Sequence, residues 1–542
     1  MKNVSVVVVL LALLTTFNLS GQNVVAKTGD EVKLFNASQA YNAGDYLKAL
    51  NLYKEVQNTN PNDANLAFHV GECLFYMDEL DRAQAEFEKA KSLNEKANPG
   101  IRFMLGRCYQ IKGRTDDAIN EYIAAKAVNA ANAPKTKEID YYLNQCQTAK
   151  SMMATPKKVT VTNLGAIVNS PYDDKRPSIT ADGKTMICTS RRPDGKSADV
   201  DKESDSGYFE DIYDCAWDSA KSTWGEVTLV RGSVNSEGHD AACSISPDGK
   251  QMFIYINNAE EARGGEIYVS KRSGSGKWGT PKNMGRGINT SYFEDGAVLS
   301  PDGNTLYFMS ERGQDLPYKG QKGYGRSDIW MCKKVDKNKW SDPVNLGPTI
   351  NTEYDEGGIF PAADGKTLYF CSNGHNSMGG YDIFMTRFEN GQWSTPVNMG
   401  YPINTVANER MFVVTNEGKT AYVDSDRQGG LGGRDLWVVD MTVLLPKKKE
   451  GPVMSLLTGS VFDGNGKAVA AEVKIFDATG KLVGSTTSSA QGNYQIELEG
   501  DKNYEIRIEI AGFKAIKESV KLEADKSGGT FEMVKHFIMY RE

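Results

Sequence analysis

The chain is poor in the residues that most often carry chemistry. It has 542 residues but four His, namely His69, His239, His375 and His536. They are scattered and form no HExxH or other ligand spacing, which excludes the usual zinc-hydrolase signature. No GxSxG elbow and no P-loop occurs, so neither a hydrolase serine nor a Walker-type phosphate cradle is expected. Eight Cys are present without one CxxC, which excludes thioredoxin-like and zinc-ribbon motifs. Lys and Arg total 63 against 70 Asp and Glu, giving a net charge of −7 and a pI near 5.5. That balance does not suit nucleic acid or an anionic membrane surface as a main partner. Past Leu14 no long apolar run remains, so no membrane-spanning helix is expected in the body of the chain.

What is present is ordinary globular material, 40% hydrophobic and 25% charged, in a length that predicts several domains. The N-terminus has Lys2, an apolar run from Val4 to Leu14, then small and polar residues. This is the pattern of a signal peptide over residues 1–26, with cleavage between Gly21 and Ala26. The first Cys is Cys73, so a lipid anchor on Cys is not expected. The expected product is an exported, soluble protein, periplasmic or peripheral to the outer membrane.

Residues 30–153 carry a helical repeat. Ala37, Gly71 and Gly106 stand 34 and 35 residues apart, followed twelve residues later by Ala49, Ala83 and Ala118, and four further by Tyr53, Phe87 and Tyr122. Small residues at this spacing let two helices cross closely, and the aromatics fill the groove beside them. The pattern resembles the tetratricopeptide repeat, with turns at Gly44-Asp45-Tyr46 and Gly113-Arg114 and a capping helix from about Lys135 to Met153. Such a stack offers a concave face for a peptide or partner helix.

Residues 157–441 carry a longer repeat. Trp224, Trp278, Trp340 and Trp393 each precede a turn acid by 24 residues: Asp248, Asp302, Asp364 and Glu417. Asp-Gly between alternating apolar segments signals a hairpin, and four short strands per repeat make a propeller blade. Lys158 stands 24 residues before Asp182, and Lys158 to Gly165 aligns with Trp340 to Gly347. This segment is expected to supply the outer strand missing from the last repeat and so close the sheet edges. The expectation is an all-β five-bladed propeller, or six blades should one degenerate copy be hidden.

Five acids occupy one repeat position: Asp174, Asp240, Glu294, Glu356 and Glu409. They are candidate binding residues, for a cation or a basic peptide at one mouth of a central channel. The alternative is that each accepts backbone N–H groups in its own or the next repeat. Asn169, Asn235, Asn289, Asn351 and Asn404 carry the same two readings. The turn acid precedes the Asp/Glu-Ile/Leu motif by 18 residues in three repeats, by 29 in the first and by 26 in the third. The extra residues, including Lys196 to Ser206 and Pro317 to Gly325, are candidate binding loops. Alignment places Cys188 and Cys371 at one strand position, where the third copy has Met309, and Cys215 and Cys332 at another. Cys in equivalent core slots are expected to be buried free thiols. Gly274 to Gly279 fits GxGxxG, but it aligns with the turn Glu389 to Trp393 and is not expected to bind a dinucleotide.

These repeats resemble the PD40, or TolB-like, propeller family through Ser246-Pro247-Asp248-Gly249, Ser300-Pro301-Asp302-Gly303 and Leu368-Tyr369-Phe370. Residues 442–455, with Lys447 to Pro452, read as a linker. Residues 456–523 alternate strictly, with Val473, Ile475, Tyr494, Ile496, Leu498, Tyr504, Ile506 and Ile508 on one face. They resemble the carboxypeptidase regulatory-like domain, a small transthyretin-like β-sandwich, and the resemblance implies no catalytic residues. Residues 524–542 form a tail with one more expected strand, Phe531 to Tyr540. Taken in order, the segments resemble the periplasmic PorE-like proteins of Bacteroidetes. That resemblance implies a non-enzymatic scaffold for envelope proteins, linked to type IX secretion and gliding, with no cofactor. Family members typically carry an OmpA-like domain that grips peptidoglycan. No such segment is read here, so peptidoglycan binding is not carried over. A glycan- or peptide-binding module using the two long loops is the competing expectation. Dipeptidyl peptidases also carry propellers, but the residues after Asp440 are too few for their hydrolase domain, and no enzyme activity is expected.

Overall fold

The computed structural model describes residues 29–197, 199–201, 207–257, 265–336, 339–444, 454–523 and 531–542. The expected signal peptide lies outside the described residues, as do parts of the segments 196–206, 442–455 and 524–542. The chain divides into two compact units, one up to residue 445 and one from residue 446.

The first unit begins with seven helices among the described residues. They are α1 (Gly29–Asn42), α2 (Tyr46–Thr59), α3 (Ala64–Tyr76), α4 (Leu80–Asn94), α5 (Ile101–Ile111), α6 (Thr115–Val128) and α7 (Ala133–Ala154). Chain chemistry sets their ends. Gly44 and Gly113 take φ of 80° and 72° where α1 and α5 stop, a conformation that costs a glycine little. The Asp45 and Asp63 carboxylates accept backbone N–H groups at the starts of α2 and α3. The small residues of the repeat are required by contact. A Cβ on Gly71 would lie 2.7 Å from the Phe87 ring, and one on Gly106 would lie 2.6 Å from the Tyr122 ring. Ala37, Ala49, Ala83 and Ala118 are fully buried in the same core. These are tetratricopeptide-like helical repeats, three antiparallel pairs with α7 after them.

A large β-rich part follows, with five antiparallel sheets. Their first strands are Asp174–Ile179, Asp240–Ile245, Glu294–Leu299, Glu356–Pro361 and Glu409–Val414. Each is joined to the second strand by the Asp-Gly or Glu-Gly turn, and each turn glycine has φ between 67° and 70°. The segment Thr160–Asn163 pairs antiparallel with Trp437–Asp440, so a strand from the start of the β part completes the fifth sheet. The sheets are also linked by main chain. The N–H of Asp240, Glu294, Glu356 and Glu409 reaches a carbonyl of the preceding sheet's repeat, at Glu210, Gly265, Ser327 and Tyr381. The N–H of Asp174 reaches Arg434 O at 2.7 Å, so the first sheet is bonded to the last in the same way.

The alignment of Cys188 with Cys371 needs correction. Lys175 pairs with Thr189, whereas Gly357 pairs with Cys371, so Thr189 is the equivalent of Cys371. Cys188 matches Phe370 and faces the opposite side of its sheet, because strand side chains alternate. All eight Cys are buried and free. Burial pushes the thiols of Cys73, Cys108 and Cys146 up to about 12, which suppresses the reactive thiolate. The segment Gly274 to Gly279 is a turn closed by Ser273 N–H to Lys277 O, with Gly276 at φ 82°.

The second unit contains two sheets on one core. The alternating residues face inward as expected, with Val473, Ile475, Ile506 and Ile508 fully buried. The boundaries differ from expectation. The first strand starts at Met454, inside the expected linker, and Phe531–Met539 pairs in parallel with it from Ser455 to Asp463. Phe537 and Met539 are buried in the same core, so the strand of the expected tail is part of this unit. Its parallel partner lies far back in sequence, which local periodicity cannot reveal.

Gly106→Ala tests the helical packing. The added methyl meets an aromatic ring fixed on both sides, so a loss of about 1–3 kcal/mol is expected from urea denaturation. An unchanged midpoint would show that the Tyr122 ring yields freely.

Candidate binding groove between the helices and the sheets

Helix α7 anchors the helical repeats to the sheets through a buried polar chain. Tyr122 Oη donates to Gln110 Oε1 at 2.7 Å, and Gln110 Nε2 donates to Gln145 Oε1 at 2.9 Å. Gln145 Nε2 then donates to Ser377 Oγ at 3.2 Å. Beside it Tyr141 Oη donates to Asn373 O at 2.8 Å, and its ring stacks on Tyr354 at 4.6 Å. Unmade bonds at such buried amides cost more than the bonds gain, so the chain fixes the orientation of α7.

Next to this anchor, α5 and α7 face the fourth and fifth sheets across a cavity of about 980 Å³. Arg107, Lys112 and Tyr142 line it from the helices, and Tyr381, Asp426 and Gln428 from the sheets. The Arg107 guanidinium lies 3.9 Å over the Tyr142 ring, making a flat cationic and aromatic platform. Lys112 is held by Asp81 at 2.5 Å, and Asp426 accepts two bonds from Asn408. The walls are therefore prearranged, apolar in part, and carry both charge signs.

The five acids are not in this groove. Each is buried, at 0% or 1% exposure, and each has at least one oxygen bonded within its own repeat. Asp174 and Asp240 accept both the N–H and the hydroxyl of Ser170 and Ser236. Glu294, Glu356 and Glu409 do the same with Thr290, Thr352 and Thr405. Arg192, Arg312 and Arg427 add a guanidinium to Asp174, Glu294 and Glu409. A ligand could reach these carboxylates only by opening the turns. The five Asn bridge sheets: each side chain bonds both the N–H and the C=O of one residue, with Asn235 on Ile212 and Asn169 on Leu436.

The loop Pro317 to Gly325 folds back on its own repeat. Tyr318 packs edge-on against Trp330, Lys319 pairs with Asp342 at 2.5 Å, and Gln321 donates to Pro343 O. The loop Lys196 to Ser206 is described only in part. The four His have separate local partners: Glu72 for His69, Asp201 for His239, Ile350 O for His375 and Ser460 for His536. Among the described residues no group of His, Cys, Asp or Glu is placed to hold a metal ion. Sequence reading missed the groove. Tyr141 and Tyr142 were visible as aromatics on a helix, but their partners around Asn373 to Tyr381 read as an ordinary loop.

No family model matches the chain, and no curated protein matches it. Solved structures do. A TPR domain of Arabidopsis OM64 is 19% identical, with 22% of this chain and 93% of that one covered, at a TM-score of 0.20. The Yersinia enterocolitica type III secretion chaperone SycD, in complex with a peptide of the translocator YopD, is 21% identical, with 24% and 99% covered, at 0.21. The first TPR of Spaghetti (RPAP3), bound to an HSP90 peptide, is 16% identical, with 22% and 96% covered, at 0.20. Likenesses this low carry no functional reading.

Glu356 gives a pH test. It lacks the Arg found beside three of its equivalents, and burial raises its carboxyl to about 7 against an ordinary value of 4.5. Unfolded chains release this proton near 4.5 and the native state holds it to about 7, so native protein binds the extra proton between these values. Its stabilising contribution is full below the lower value and is lost as pH rises through the upper one. Melting curves should show wild type losing stability relative to Glu356→Gln between pH 4.5 and 7. A difference that does not change with pH would refute this assignment.

Proposed function

We propose that this protein is a non-enzymatic, exported scaffold that holds a segment of a partner envelope protein between its helical repeats and its β part. One observation carries the reading: the groove whose walls are fixed by the α7 anchor and lined by Arg107, Tyr142 and Asp426. A prearranged channel of mixed charge with aromatic walls suits an extended peptide or a slim helix, because little ordering remains to oppose binding. We further infer that the five sheets are the blades of a five-bladed propeller. The cyclic main-chain links and the Thr160–Asn163 strand on the fifth sheet support that reading. The order of segments supports a PorE-like role at the outer membrane, in type IX secretion or gliding, and the N-terminal apolar run supports periplasmic location.

Crosslinking in cells from a photoreactive residue at Gln428 tests the proposal, with the captured proteins identified by mass spectrometry. A defined envelope protein is expected, and Arg107→Glu together with Tyr142→Ala should weaken its binding about tenfold or more. Failure to capture any envelope protein, or capture indifferent to both substitutions, would reject the groove as the binding site. Capture lost instead on shortening Pro317 to Gly325 would favour the loop-based module.

A further inference from the structure

The five acids are alike in every copy, but the residues just after them are not. Each first strand carries a bulge there, between Lys175 and Ser178, Ala242 and Ser244, Asp295 and Val298, Gly357 and Phe360, and Glu409 and Phe412. Bulges re-aim side chains. Here residues at or next to the five bulges line one cavity of about 400 Å³, among them Arg176, Cys243, Asp295, Gly358 and Arg410. A position kept in all copies serves the repeat. A position that varies while facing a shared cavity is free to serve a ligand.

The charges in this cavity are unevenly matched. Arg176 donates two hydrogen bonds to the Asp295 carboxylate, at 2.7 and 2.6 Å, and Lys175 donates one to Glu210 at 2.5 Å. Arg326 pairs with Asp355 at 3.2 Å and with Glu311, which also lines the cavity, at 3.8 Å. Arg176 holds φ at 56° where the third and fourth copies have glycine, at 66° and 54°. A non-glycine residue is strained there, and strain of this kind concentrates at binding sites. Among the described residues, Arg410 and Arg434 have no carboxylate within ion-pair distance. Asp424, in the same cavity, already accepts from Met411 N at 2.6 Å and Arg176 N at 3.1 Å. Arg410 lies 4.5 Å from the Tyr381 ring centre, and Arg434 Nε is buried without a hydrogen-bond partner among the described residues. Arg410 is the exposed residue of its strand, between the buried Glu409 and Met411, so its guanidinium is accessible from the cavity. With Asp424 taking two main-chain bonds and Arg434 Nε unbonded among the described residues, guanidinium donors remain for a ligand.

We propose that this cavity binds a small oxyanion, a carboxylate or a phosphate group, held by Arg410 and Arg434. Planar guanidinium forks match both groups, and a shared anion would neutralise the pair. The site lies in the β part, and Tyr381 is the residue it shares with the groove.

The test is thermal unfolding of the full chain with sodium malonate, inorganic phosphate, or sodium chloride at matched ionic strength. Malonate or phosphate should raise Tm above the chloride control in a saturable way. Arg434→Gln and Arg410→Gln should each weaken the fitted affinity about tenfold or more. Arg434→Lys, which keeps the charge and loses the fork, should fall between. A response to malonate alone assigns a carboxylate, one to phosphate alone assigns a phosphate, and equal responses assign the oxyanion class. If Arg410→Gln does not fold, the two Arg434 variants decide. No shift beyond chloride overturns the proposal, as does a shift that the Arg434 variants leave undiminished.

Discussion

Everything in the five sheets depends on a buried carboxylate at the start of each first strand. Burying a charge is costly unless its oxygens are bonded, and this cost explains residues at fixed distances from the acid. Four positions before it stands Ser or Thr, whose N–H and hydroxyl both reach the carboxylate. Sixteen positions after it, Ser310, Ser372 and Ser425 donate to Glu294, Glu356 and Glu409. Eighteen after it in three copies stands the Arg that supplies a countercharge. The second copy tests the rule by departing from it. Ile256 replaces the serine, and Asp240 Oδ1 is left buried without a partner among the described residues. The same acid's own N–H bonds back to the preceding repeat, so the side chain closes a turn while the backbone joins two sheets. Register within one repeat and attachment between repeats are thus fixed by a single residue.

Much of this was legible in the sequence, because spacing is what a repeated contact leaves behind. The interval from Trp to turn marks strands of constant length. The small residues at Gly71 and Gly106 marked close helix crossings, and the rings at Phe87 and Tyr122 fill them. The acids carried two readings in the sequence, and the one in which each accepts N–H groups of its own repeat is the one found. A carboxylate before a strand can point to solvent or to its own turn, and only the path of the chain around Ser170 or Thr290 decides. The Cys188 error has a similar root. Matching residues by type rather than by distance from the turn shifts the register by one, and one residue moves a side chain to the other face. The strand Phe531–Met539 was anticipated, but its membership in the core was not, since its partner begins at Met454.

The groove was hidden for another reason. Its geometry belongs to no single segment. Gln110, Gln145 and Ser377 lie far apart in the sequence, and each alone reads as a surface polar residue of a helix or loop. Their bonds make sense only when the helices rest on the sheets. A glutamine in a helix has no signal that distinguishes a solvated amide from the middle of a buried chain.

A repeat protein therefore separates two kinds of information. What recurs, the acid, the Asn and the turn glycine, is committed to building the sheets. What breaks the pattern has capacity left over. Arg176 takes the backbone conformation of a glycine at a position where glycine stands in two other copies, which the sheet alone would not favour. It is held there by Asp295, a residue from a different sheet. Arg410 follows Glu409 as Lys175 follows Asp174, yet Lys175 has Glu210 as an ion-pair partner, whereas Arg410 lies over the face of Tyr381 and, among the described residues, pairs with no carboxylate. The recurring residues thus set the frame, and the departures from them define where a ligand can be recognised.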